Sequence, residues 1–159
     1  PGCPPTGKIT LQAVQAILKG ELPEKGAVLA SNRALCHECD LNSTKPEKLL
    51  IRELKRVHQT IPEPDKCLLA QGLLCLGPVT RGGCEAVCVK GGMPCTGCFG
   101  PVERVRDYGG KALSALASLV DEKDEAALTK IFAAVPDPAG TFYRYSVPVS
   151  FLTRKRHAA

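Results

Sequence analysis

Nine cysteines constrain this 159-residue chain more than any other feature: Cys3, Cys36, Cys39, Cys67, Cys75, Cys84, Cys88, Cys95 and Cys98. An odd number cannot pair fully as disulfides, and secreted disulfide scaffolds are usually shorter and even-numbered. Thiolate ligation of metal in a reducing compartment is therefore the expected use. The last four follow the spacing C-x3-C-x6-C-x2-C. The middle four run C-x2-C, a long gap, then C-x7-C. Nine thus reads as four plus four plus one, and a four-thiolate set suits either zinc or an iron–sulfur cube.

Spacing and glycine bear on that choice. Zinc ribbons set two C-x2-C knuckles face to face, whereas only Cys36/Cys39 and Cys95/Cys98 have knuckle spacing here. A cube spreads its ligands wider and accepts backbone N–H bonds at its sulfurs, which glycine allows by letting the backbone come close. Six cysteines and eight glycines fall between Lys66 and Gly100. That interleaving favours iron–sulfur clusters over zinc. Buried structural cysteines come third.

The rest of the chain is read around this segment. With 15 Gly, 13 Pro, no Trp and only seven Phe and Tyr together, the core is modest and metal is expected to help fold it. Residues 1–7, PGCPPTG, form a turn. Ile9, Val14, Ile17 and Leu18 have helical spacing and Gly20 is a natural stop, so a helix is expected over residues 8–19. A second helix is expected from Thr44 to Gln59, with Thr44 and Glu47 as a capping box and Leu50, Leu54 and Val57 on its buried face. A short piece is expected from Pro101 to Gly109-Gly110. Helix follows to residue 134, with Asp121 as a cap, and then an extended C-terminal arm. The fold class is accordingly mostly α with extensive irregular loops. Its regions are residues 1–35, a two-cluster ferredoxin-like region over 36–101, and a helical segment with an arm over 102–159.

The net charge of +5 comes mainly from residues 45–56 and 154–156. A balance of this size suits a solvated face or a subunit contact, and few aromatics stand by to stack on bases, so nucleic acid is not expected as a partner. No apolar run approaches the roughly 18 residues of a membrane span. Among the histidines, His37 reads as exposed or as a neighbour of the ligands, His58 as a helix C-terminal partner, and His157 as part of the tail. Glu38 and Glu85 adjoin candidate ligands, but adjacency alone makes no catalytic argument. No phosphate loop, catalytic triad or paired-carboxylate signature is present.

The run CLLAQGLLCLGPVTRGGCEAVCVKGGMPCTGCFGP, residues 67–101, resembles the electron-transfer small subunit of NiFe hydrogenases, in the cytoplasmic methyl-viologen-reducing (deazaflavin-non-reducing) and sulfhydrogenase branch. The markers are C-x-G-P-x-T at Cys75–Thr80, Cys84 four residues later, and G-x-P-C-x-G-C at Gly92–Cys98. PGCPP at residues 1–5 is shared with this family and with its complex I relative. The resemblance implies the C-terminal cluster-binding part of such a subunit. Cys3 would be one ligand of a proximal cluster. Cys36, Cys39, Cys67 and Cys75 would hold a distal cluster, and Cys84, Cys88, Cys95 and Cys98 a medial one. It thus implies two 4Fe–4S clusters on this chain and a third shared through Cys3.

Periplasmic members of the family have a His where Cys36 stands and only three medial cysteines. Cys88 supplies a fourth here, which favours 4Fe–4S over 3Fe–4S. The flavodoxin-like part that carries the other proximal ligands in the family is not in this sequence. The partners implied are that N-terminal part of the small subunit, the NiFe large subunit, and a flavin or iron–sulfur acceptor subunit, with a cytoplasmic location and no catalytic residue on this chain. The alternatives are a complex I-like quinone-reductase subunit and a zinc-ribbon nucleic-acid module.

Overall fold

A computed structural model describes residues 4–153; Cys3 and the basic residues at 154–156 lie outside the described residues. The first helix, α1 (Gly7–Lys19), follows the sequence closely. Thr6 caps it by accepting from the Ile9 N–H, and Gly20 ends it in the left-handed region at φ 69°, which costs glycine little. Only Ile9 is buried on this helix.

The helix expected over residues 44–59 is not formed. Thr44 instead closes a 3₁₀ turn, Asp40–Thr44. Its hydroxyl donates to the Leu41 carbonyl and accepts from the Cys67 N–H at 2.8 Å, so it serves a cysteine loop rather than a helix start. Pro46 disfavours the helical conformation at Lys45, whose ψ is 127°. Beyond it the backbone pairs with distant chain: Ile51 N–H donates to Leu119 O and Lys55 N–H to Gly72 O, at 2.7 and 2.8 Å. Ile51 and Leu54 are buried by this pairing while Val57 is exposed. Without a helix, His58 has no dipole to meet.

The cysteine-rich segment runs through short 3₁₀ turns and one four-residue helix, α2 (Val87–Lys90). Among the described residues there are isolated bridges but no named strand. Next comes α3 (Tyr108–Ala117), capped by Asp107 through the Gly110 N–H. Gly109 and Gly110 therefore open this helix, where the sequence pattern places the end of a preceding piece. The following helix, α4 (Glu125–Ala133), is capped by Asp124, not Asp121. As far as residue 153 the C-terminal segment is not an extended arm. It coils into α5 (Pro138–Phe142) and two 3₁₀ turns. The Phe151 N–H donates to Asp107 Oδ2 at 2.8 Å, which fastens this part to the start of α3.

Two apolar clusters result. One gathers Ile51, Leu54, Leu69, Leu76, Ala112, Leu116, Ile131, Val135 and Phe142. The other gathers Leu35, Leu68, Leu73, Ala86, Val89 and Cys95. Cys75 packs against both, so the cysteine region sits on the seam between them.

Candidate metal centres

The first set of cysteines is built from three loops. The turn Leu35–Glu38 carries Cys36 and leads into Cys39. Cys67 is held by the Thr44 hydroxyl at its N–H, and Cys75 sits just before the turn Gly77–Val79. All four line one small cavity, together with Leu35, Leu41, Leu68, Leu69, Val89, Asn42 and Lys45. The lining is almost wholly apolar apart from the sulfurs, Asn42 and Lys45.

Gly77 forms part of the wall. A Cβ built on it would lie 3.4 Å from Cys36 Sγ and 3.6 Å from Cys75 Sγ, so the glycine leaves open the space between two sulfurs. Asn42 Oδ1 is buried with no hydrogen-bond partner. Leaving a buried acceptor unpaired costs about 1–3 kcal/mol. Turning the carboxamide over presents its NH2 instead, a donor suited to a thiolate or sulfide.

Burial pushes the Cys36 thiol up to about 11, and the neighbouring Cys75, Cys39 and Cys67 push the same way while Lys45 opposes them. Cys75 is also raised by burial, against the pull of the Gly77 and Cys95 backbone N–H groups. A buried thiol of this kind stays protonated until a cation offsets the charge of its thiolate.

The second set is Cys84, Cys88, Cys95 and Cys98. Cys95 is buried, Cys84 and Cys98 half-buried, and Cys88 exposed. Cys84 feels the charges of Cys98 and Cys88, and Cys95 that of Cys98, so the four stand within electrostatic reach of one another. Burial raises Cys84, opposed by the Ala86 N–H. Burial takes Cys95 up to about 12, opposed by the Gly97 N–H. Gly97 has φ 91°, and a Cβ there would collide with the Tyr108 hydroxyl, so both backbone and space require glycine in the C-x-G-C turn. The Tyr108 hydroxyl meets Thr80 Oγ1 at 2.7 Å, and Thr80 in turn donates to Leu76 O at 2.6 Å. This buried chain props the turn from below.

The two sets touch. The Cys95 N–H donates to Cys75 Sγ at 3.3 Å, and the Leu76 N–H donates to Cys95 O at 2.8 Å. Glu38, between Cys36 and Cys39 in sequence, reaches across to the second set. Its Oε1 accepts from the N–H groups of Gly83, Cys84 and Glu85 at 2.8, 3.1 and 3.0 Å. The next residues are strained: Glu85 and Ala86 have φ 58° and 52°, each costing on the order of 1–3 kcal/mol unless the surroundings enforce it.

Among the described residues, no group of three or more His, Cys, Asp or Glu side chains converges tightly enough to hold a single metal ion. His37 is exposed. Each set nonetheless offers four soft sulfur donors, the number that a zinc ion or a 4Fe–4S cube takes. Sequence spacing does not single out Asn42 or Tyr108 as parts of this region; Thr80 enters only as the end of the C-x-G-P-x-T motif and Glu38 only as a neighbour of candidate ligands. The contacts of Glu38 and of the Thr80–Tyr108 pair span 28 to 47 positions, which no local spacing announces.

No protein-family model matches the chain. Individual relatives do. The chain is 39% identical over 156 residues to an iron–sulfur subunit of the F420-non-reducing hydrogenase of Archaeoglobus profundus, covering 97% of this chain and 48% of that one. It is 42% identical over 123 residues to an F420-non-reducing hydrogenase subunit of Methanothermus fervidus, covering 76% of this chain and 96% of that one. The delta subunit of sulfhydrogenase 2 from Pyrococcus furiosus is 35% identical over 101 residues, 64% of this chain and 32% of that one. The chain spans about half the length of most of the curated relatives it matches, as the 48% coverage illustrates.

Proposed function

Because the chain belongs to the family of F420-non-reducing hydrogenase iron–sulfur subunits, we propose that it is the cluster-bearing part of an electron relay and carries no catalytic residue of its own. Cys36, Cys39, Cys67 and Cys75 hold a distal 4Fe–4S cluster, and Cys84, Cys88, Cys95 and Cys98 a medial one. Cys3 contributes one ligand to a proximal cluster completed by the N-terminal part of the small subunit. The partners are that part, a NiFe large subunit that reacts with hydrogen, and a flavin or iron–sulfur acceptor, in the cytoplasm. Among the described residues no helix is long and apolar enough to cross a membrane.

One observation carries the reading: the Cys95 N–H bonded to Cys75 Sγ. It brings the backbone of a residue in one set within hydrogen-bond distance of a sulfur in the other, a proximity that supports a relay between them. The fit of the surroundings to a cluster adds support. The Gly77 wall leaves room where a methyl would sit. Backbone N–H groups of Gly77, Ala86 and Gly97 bond the sulfurs of Cys75, Cys84 and Cys95. Asn42 brings an unpartnered polar group to the cavity.

Bound clusters supply one-electron redox chemistry. The chain's own residues do the rest. Leu35, Leu68, Leu69 and Val89 keep water from the first set, which limits reorganisation when the charge changes. The N–H groups on Cys75, Cys84 and Cys95 favour the thiolate forms and tune the potential. Reconstitution with iron and sulfide under anaerobic conditions, followed by reduction with a hydrogen-reacting partner, tests the proposal. Clusters that form but stay oxidised in the presence of the complete complex and hydrogen would refute the relay.

A further inference from the structure

We infer that Glu38 is a positioning residue that clamps the loop of the second cysteine set onto the turn carrying the first and sets a fixed negative charge beside Cys84. The inference rests on the reading that both sets hold clusters. Three consecutive backbone donors, Gly83, Cys84 and Glu85, converge on its Oε1 from 45 to 47 positions away. Hydrogen bonds to an ionised acceptor are shorter and stronger than neutral ones. Gly82 makes room for the group: a Cβ built there would lie 3.2 Å from both Cδ and Oε2 of Glu38. Neighbouring backbone bonds align the two segments, Leu35 N–H to Thr80 O and Gly82 N–H to Arg33 O, both 2.8 Å. The carboxylate then fixes the loop tip, where Glu85 and Ala86 hold left-handed conformations.

None of the ion pairs among the described residues involves Glu38; they use Glu53, Glu63 and Asp40. Its charge is met by amide dipoles rather than by a cation. A negative charge near a cluster disfavours the added electron, so this carboxylate lowers the potential of the cluster at Cys84 relative to a neutral side chain.

The test compares Glu38→Ala and Glu38→Gln in the full chain. Amide exchange at residues 83–85, iron and sulfide per chain, and the potential of each cluster by spectroscopic titration are read for both. Glu38→Ala removes the acceptor, so exchange at these amides accelerates and iron falls from about eight to about four per chain. Cysteine alkylation then places the loss at Cys84, Cys88, Cys95 and Cys98. Glu38→Gln keeps an oxygen for the three N–H groups and removes the charge. It retains full iron and raises the potential of the second cluster more than that of the first, a shift that a merely structural role would not produce. Wild-type exchange and iron in Glu38→Ala, or unmoved potentials in Glu38→Gln, would overturn the inference. If the wild-type chain takes up no iron and sulfide, the relay reading fails, and amide exchange still decides whether the clamp exists.

Discussion

Gly77→Ala separates the fold from the cluster site. In the metal-free chain the added methyl meets Cys36 Sγ at 3.4 Å, Cys75 Sγ at 3.6 Å and Leu35 Cδ2 at 3.9 Å, which are ordinary contacts at the tight end. Gly77 is not at positive φ, so the substitution carries no left-handed strain. Replacing glycine gains about 0.4–1 kcal/mol by restricting the unfolded chain, while Pro78 disfavours the turn conformation for a residue with a Cβ at position 77 and offsets that gain. The metal-free variant is therefore close to wild type in stability. The loaded chain behaves differently, because the methyl occupies the gap between two ligand sulfurs. Overpacking a filled site costs about 1–3 kcal/mol, roughly a five- to 150-fold loss of affinity at that site. The assay pairs thermal melts of the metal-free chain with iron per chain across a reconstitution series. Unchanged melting with weakened loading, confined to Cys36, Cys39, Cys67 and Cys75, is expected. Full loading at wild-type iron concentration would refute the assignment of that cavity to a cluster.

Three further outcomes are expected. Gly109→Ala places a Cβ 2.5–2.6 Å from ring atoms of Tyr143, while Gly110→Ala meets nothing nearer than Asp107 Oδ1 at 3.1 Å; the helix-propensity gain of about 1 kcal/mol therefore survives more fully at residue 110, and urea midpoints should rank Gly110→Ala above Gly109→Ala, the reverse order counting against the packing described. Burial raises the Tyr108 hydroxyl above its ordinary value, so its contribution is complete below about pH 10 and is lost as pH climbs toward the raised value; Tyr108→Phe should flatten that alkaline limb in denaturation curves, at a cost of about 1 kcal/mol near neutrality. Cys88 is the exposed member of its set, and Cys88→Ser should lower iron by about one per chain, leaving a three-iron cluster with its own spectroscopic signature; loss of the whole cluster would mean that Cys88 is required for assembly.

The helix expected over residues 8–19 is legible in the sequence because its apolar period and its glycine stop are both local; its Thr6 cap is seen only in the structure. Cys36, Cys39, Cys67 and Cys75, grouped by spacing and by motif resemblance, line one cavity. The stretch after Thr44 misleads for a physical reason. Leu50, Leu54 and Val57 have helical spacing, yet Pro46 opposes helix at its start and distant backbone at Gly72 and Leu119 offers better partners. The start of α3 misleads because Gly109 and Gly110 read as breakers. Their small size serves Tyr143, which lies against Gly109 and is more than thirty positions away. Glu38 stands out in the sequence only as a neighbour of ligands. Its three N–H partners sit on a loop that reaches it through tertiary structure alone, so nothing within C-H-E-C distinguishes it.

Whether two sets of four thiolates hold iron and inorganic sulfide is tested most directly by anaerobic purification of the chain, with iron, sulfide and zinc counted per polypeptide. The expected result is a brown protein with about eight iron and about eight sulfide per chain and little zinc. A colourless protein carrying about two zinc ions and no sulfide would contradict it.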